Sequence, residues 1–215
     1  QHIKENLDRR NDLKMDFGNA RIHQGKRLIS AREITFSYTD KPVWQSPLSF
    51  EIFSGERIKI TGSNGSGKTT LLKIIFGKLQ PLAGQLEMQP FTCLYMDQDF
   101  SLVDGCLTVL EQIQSYNHSL RLDHELKTIL HRFLFPEETW NKPCRQLSGG
   151  EKMRLVFACL MVSNQTPDLF VLDEPTNNLD IDSLEVVTSI LRDYQGTLLV
   201  ISHDSYFLRE IGIEK

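Results

Sequence analysis

The chain has 215 residues, 40% of them apolar and 24% charged, with a formal net charge of -4. That is room for one good-sized globular domain, or a domain with a subdomain. The balance argues against a whole surface that embraces nucleic acid and leaves a local basic patch open, and no apolar run approaches the ~18 residues of a membrane span.

Residues 1–28 stand apart. They hold seven Lys and Arg against four Asp and Glu, and Ile3, Leu7 and Leu13 give only a thin helical stripe. They read either as a solvated extension or as the end of a longer helix that links this domain to something upstream. From Ala31 the pattern turns to strands. "EITFSY" and "LSFEIF" alternate on either side of a turn around "TDKP", and "ERIKIT" is a third strand. Tyr38 ends the first of these runs. Exposed, it would stack on a nucleobase; buried, it would be a cross-strand packing aromatic, and Phe36 competes for either role.

The third strand leads into "GSNGSGKT", Gly62 to Thr69, which fits the phosphate-loop pattern. Glycines let consecutive backbone N–H groups curl around phosphate oxygens without a Cβ clash. The helix that follows, "TTLLKIIFG", aims its positive end at the same place. In this pattern Lys68 reaches the β- and γ-phosphates and the Thr69 hydroxyl binds Mg²⁺. A glycine-rich turn is the bland alternative.

"PLAG" reads as a turn and "TCLYM" as a short strand, followed by Gln98, whose amide can meet a metal or a water. Residues 105–163 read mostly helical, too long for a simple crossover, and so form a helical subdomain. Within it, "RQLSGGEKMRL" opens a helix with a Ser and two Gly, although Gly is a poor helix former. "DLFVLD" and "GTLLVIS" are continuous apolar runs, as strands buried on both faces are, with the amphipathic "IDSLEVVTSILRDY" between them. Strand–loop–helix units with buried strands imply a parallel sheet. Asp173 emerges at the carboxyl end of its strand, where ligands sit in such sheets, and Glu174 follows, placed to orient a water. His203 ends the next strand at the same edge; a lone His there is as readily structural.

The four cysteines, Cys93, Cys106, Cys144 and Cys159, are irregularly spaced with no CxxC pair. Reduced thiols in a cytoplasmic protein are the simplest reading. His124 and His131 share a helix face, but no other ligand pair accompanies them.

In order, these pieces resemble the ATP-binding cassette (ABC) family over roughly residues 31–215. An aromatic A-loop matches at Tyr38, the P-loop at Gly62, Ser63, Asn64, Gly65, Ser66, Gly67, Lys68, Thr69 and Thr70, and the Q-loop at Gln98. The signature "LSGGE" matches at Leu147–Glu151, the acidic strand end at Asp173 and Glu174, the D-loop "NNLD" at Asn177–Asp180, and the switch histidine at His203. The resemblance implies an α/β P-loop cassette with a parallel core sheet, an antiparallel β subdomain and a helical signature subdomain at about 100–163. It implies ATP and Mg²⁺ as ligands, with Thr69, Gln98 and Asp173 about the metal and Lys68, Glu174 and His203 catalytic. It also implies that Ser148, Gly149 and Gly150 serve the nucleotide held by the P-loop of a second cassette, so that two domains close head to tail around ATP.

Within the family the chain looks most like the ABC-F branch. "LDEPTNNLDIDSLEVV" and "SHDSYFL" resemble that branch's runs, with departures at Asn178 and Ser205. "KP…LSGGE" and "HRFLF" resemble its second cassette. Residues 1–30 would then be the end of the linker between two cassettes in a longer, soluble, cytoplasmic factor that acts on the ribosome. The alternative is the ATP-binding subunit of a membrane transporter. A DNA-maintenance ATPase fits poorly: the 105 residues from Lys68 to Asp173 hold neither sustained heptads nor a CxxC pair, so no DNA partner is expected.

Overall fold

The structure, a computed structural model, describes residues 24–177 and 179–213. Most of the basic leader and Asn178 lie outside the described residues. Two sheets organise the chain. A three-stranded antiparallel sheet, in the order β2-β1-β4, uses β1 (Arg27–Thr35), β2 (Leu48–Phe53) and β4 (Ala83–Met88). A four-stranded parallel sheet, in the order β3-β7-β6-β5, uses β3 (Arg57–Lys59), β5 (Cys93–Met96), β6 (Leu169–Asp173) and β7 (Thr197–Ile201).

Alternation along β6 and β7 shows why both read as apolar throughout. Leu169, Val171, Leu199 and Ile201 enter one core with Leu28, Ile52 and helix α1 (Lys68–Ile75). Phe170, Leu172, Leu198 and Val200 enter the other. That second core is built with α2 (Val109–Ser115), α3 (Asp123–Arg132), α4 (Gly149–Ser163), α5 (Ile181–Asp193) and α6 (Ser205–Glu210). Each strand residue buried this way contributes about 1.5–3 kcal/mol by leaving water. Helix α4 is buried on nearly every side, which is why its sequence is apolar with little polar face.

Three expectations shift. β1 starts at Arg27, four residues ahead of the expected boundary at Ala31, and stops at Thr35, leaving Tyr38 in the loop beyond it. The strand contains a bulge: Glu33 takes φ 50°, and the register slips between Ala31 and Ile34. The "PLAG" turn is in part a strand, because β4 begins at Ala83 and pairs with β1 at Thr35. Gly84 belongs there for a steric reason. A Cβ on it would lie 2.4 Å from the Glu33 carbonyl oxygen and 2.5 Å from that of Arg32, so the bulge and the glycine come as a pair. Finally, the short α6, capped by the Asp204 carboxylate accepting from the N–H groups of Tyr206 and Phe207, joins the expected elements.

Candidate functional site: a cleft at the carboxyl edge of the parallel sheet

The carboxyl ends of β5, β6 and β7 open into one cleft of about 720 Å³, within the usual range of small-ligand sites. The phosphate loop forms its floor, with Asn64, Gly65, Gly67, Lys68, Thr69 and Thr70 on the wall. Gly65 (φ 79°) and Gly67 (φ 90°) take left-handed backbone that a side chain would strain. Lys68 turns back on the loop, and its ammonium donates to the carbonyls of Gly62 at 2.6 Å and Ser63 at 3.0 Å. Those three residues, with Ser66, are thus held in the same loop.

Asp173, Glu174 and Gln98 line the opposite wall. Asp173 accepts a hydrogen bond from the Tyr95 hydroxyl at 3.1 Å. Burial pushes the Tyr95 phenol up, and the Asp173 carboxylate beside it adds to the effect, so the tyrosine keeps its proton and donates it to this bond. Glu174 departs from the strand with φ 50°, its amide donating to the Ile201 carbonyl on the neighbouring strand. This turn swings the side chain off the strand axis to where His203 Nε2 lies 3.4 Å from Glu174 Oε1. The imidazole is 76% exposed and the carboxylate 15%, so the histidine stands in solvent beside Glu174, outside the residues that line the cleft.

Tyr38 and Phe36 divide as their exposure demands. Phe36 is buried; Tyr38 is 60% exposed, edge-on to Phe36, with its hydroxyl 3.2 Å from Thr70 Oγ1. Tyr38 is therefore the aromatic that faces the cleft. Pro42, Val43, Asp97 and Asp99 also line it and were not singled out from the sequence. The run "MDQD" around Gln98 was the available signal for the two aspartates.

Ser148, Gly149 and Gly150 do not line this cleft. Gly149 lies at a smaller one, of about 290 Å³, beside Gln98, Lys152 and Glu174. Their helix start carries a capping box: Ser148 Oγ accepts from the Glu151 N–H at 3.2 Å, and Glu151 accepts from the Ser148 N–H at 2.6 Å. Burial would raise the Glu151 carboxyl, but the Ser148 and Lys142 hydrogen bonds outweigh it and hold it below its ordinary value. Gly150 is required by α5: a Cβ on it would lie 2.6 Å from Ser183 Oγ and 2.8 Å from Asp180 Oδ2.

For a divalent ion the donors are a hydroxyl (Thr69), a carboxylate (Asp173) and an amide (Gln98), all on the one cleft. No cluster of three His, Cys, Asp or Glu forms a cage among the described residues. That sparse set of hard oxygens fits Mg²⁺, which keeps waters and completes its shell with phosphate oxygens.

Comparison with known proteins agrees with this geometry. The family described as ABC transporter matches residues 46–177, more than half of the chain. The putative ATP-binding protein YdiF of Bacillus subtilis is 38% identical over 189 residues, covering 87% of this chain and 29% of that protein. ABC transporter F family member 5 of Arabidopsis thaliana is 36% identical over 214 residues, covering 98% of this chain and 30% of that protein. The chain thus spans about 30% of the length of these relatives. Among solved structures, a bacterial Atm1-family ABC exporter with ATP bound superposes with a TM-score of 0.68 at 22% identity, over 88% of this chain and 37% of that one. A dimeric ATP-binding cassette in a post-hydrolysis state, bound to ADP and Pi, gives 0.64 at 21%, over 85% and 91%. At these identities the structures speak to the fold, which is that of a cassette, while the family match and the relatives speak to descent. The chain belongs to the ABC family as an ATP-binding P-loop cassette, and it resembles the members of that family's F branch.

Proposed function

We propose that the cleft binds ATP with Mg²⁺ and hydrolyses the γ-phosphate once a second cassette closes over it. One observation carries this reading. The phosphate loop, the acidic strand end and an exposed aromatic share one cleft, while the Ser148–Gly150 helix start lies outside it. The loop amides and Lys68 hold the phosphates, for which Lys68 leaves the carbonyls of Gly62 and Ser63. Tyr38 stacks on the base. Thr69, Asp173 and Gln98 hold the metal, which neutralises charge on the phosphate oxygens when bound. Glu174 orients the attacking water and takes its proton. His203 fixes Glu174 and contacts the γ-phosphate.

Ser148, Gly149 and Gly150 complete the site of the partner cassette. The capping geometry favours that role. Ser148 Oγ accepts from the Glu151 amide, which leaves its own proton free to donate outward. The Gly149 and Gly150 amides head a helix whose positive end draws an anion.

The test uses two substitutions. Lys68→Ala is expected to abolish nucleotide binding in a titration. Glu174→Gln is expected to retain binding and to lower turnover by about two to four orders of magnitude, since an amide cannot accept the proton. Unchanged affinity in the first overturns the site, and normal turnover in the second overturns the role of Glu174.

The likeness to F-branch relatives supports a wider reading, that the chain is one cassette of a cytoplasmic factor acting on the ribosome. The longer protein carrying Glu174→Gln is then expected to sediment with ribosomes in the presence of ATP. Copurification with a membrane-spanning subunit instead would favour the ATP-binding subunit of a transporter.

A further inference from the structure

The loop between β1 and β2 touches the phosphate loop in a second place besides Tyr38. Residues 36–44 form a short arm, closed by a bridge between Ser37 and Pro42 and by the Val43 amide donating to the Phe36 carbonyl at 2.8 Å. At one point the arm meets the helix after the loop, where the Tyr38 hydroxyl lies 3.2 Å from Thr70 Oγ1. At the other it meets Gly67. A Cβ placed on Gly67 would lie 2.5 Å from the Trp44 indole nitrogen and 2.5 Å from Val43 Cγ1. The half-buried indole therefore rests edge-on against the last loop glycine, one residue ahead of Lys68.

We propose that Trp44 is a positioning residue for the nucleotide site: its indole edge, with Val43, braces Gly67 and so sets where the amides of Gly67 and Lys68 point. The inference rests on the ATP-binding reading and adds a residue to it. The physical ground is the left-handed backbone at Gly67, φ 90°. Glycine adopts it freely but does not hold it, because glycine has the widest choice of alternatives. A rigid aromatic wall on the side where a Cβ would stand removes some of those alternatives before the ligand arrives. Loop amides already aimed at the phosphates bind them with less ordering to be done. The positive edge of the indole, rather than its electron-rich face, is what meets the glycine, which suits a neighbour of bound anions.

The chain has two tryptophans, and the second, Trp140, is buried in the helical subdomain with its indole donating to the Phe135 carbonyl. Emission excited selectively at tryptophan thus reads Trp44 against a steady background. ADP is the probe. The wild-type chain is expected to change its emission on ADP binding, and Trp44→Phe to lose most of that change, with Trp140 intact. Trp44→Ala is expected to bind ADP roughly tenfold more weakly by calorimetry. Trp44→Phe, which keeps an aromatic wall, should recover most of the affinity, and the melting temperature of both variants without ADP should stay close to wild type. Wild-type ADP affinity in Trp44→Ala, or an ADP signal that persists in Trp44→Phe, overturns the proposal while leaving the ATP-binding reading standing. A wild-type chain that binds no ADP overturns both.

Discussion

Asp180 shows how much one carboxylate does between the signature helix and the strand that carries Asp173. It caps α5, accepting from the Ser183 amide at 2.8 Å and the Ser183 hydroxyl at 2.7 Å, and it abuts Gly150 at the head of α4. Burial would raise its carboxyl, but the Ser183 hydrogen bonds and the Arg154 guanidinium outweigh this and lower it. A lowered folded value stabilises the fold above the unfolded value of about 3.9, and that contribution fades as the pH falls through the folded value. Asp180→Ala is expected to lower stability by about 1 kcal/mol at neutral pH. In urea titrations the gap to wild type should close as the pH is taken below about 4. A gap that stays constant down to pH 3 would show that the charge of Asp180 is irrelevant. At this scale much of the site is written in the chain. A loop that wraps phosphate needs glycines and a lysine at fixed spacing, and no other local structure needs that set. Trp44 was not readable in the same way, because nothing local tells where an indole edge will land 23 positions further along, at Gly67.

Arg57 ties the elements together. It stands on β3, the strand that feeds the phosphate loop, and its guanidinium donates to carbonyls at the ends of two helices. On α5 it reaches Leu191 at 2.9 Å, Arg192 at 3.0 Å and Tyr194 at 2.5 Å, and beyond α6 it reaches Ile211. Helix carboxyl ends expose carbonyls that lack intrahelical partners, and a forked cation satisfies several at once. Burial lowers the guanidinium's pKa, countered by nearby Tyr194 and Asp193. Arg57→Ala should destabilise the fold by about 2–3 kcal/mol, and Arg57→Lys by nearly as much, since an ammonium lacks the planar fork. Chemical denaturation of both variants checks this; a full rescue by lysine would mean that the charge alone matters. Elements differ in how far they were legible for reasons of burial. β6 and β7 are buried along almost their whole length and their sequences are apolar to match. β4 has no fully buried residue, so neither alternation nor an apolar run marks it, and its glycine was read as a turn. The six residues of α6 are too few to show a helical period.

The molecule as a whole offers two unlike faces. One is the cleft with its phosphate loop. The other is the capped start of α4, where Gly149 lines the smaller cavity beside Gln98 and Glu174 and not the cleft itself. In the closure proposed above, a pair of such chains in opposite orientation would satisfy both faces twice, as the symmetric closure of most oligomers does. ATP hydrolysis per chain is therefore expected to rise with protein concentration and to fall away on dilution, measured at saturating ATP. A rate per chain independent of concentration would sink the two-cassette mechanism, though not the binding site. Composition gives no sign of the proposed pairing, since an interface shared by two cassettes carries no periodic signal. Only the order of the motifs pointed to it.

The backbone at Glu174 constrains what this position is able to become. Its φ of 50° lies where branched side chains are most strongly disfavoured. Inheritance is thus channelled: a copy that loses hydrolysis by drift here should end with Gln, Asn, Asp or Gly, not with Val, Ile or Thr. On the role proposed for Glu174, copies changed in this way would fall silent without any strain added to the turn, so that lost turnover and lost shape become separate events.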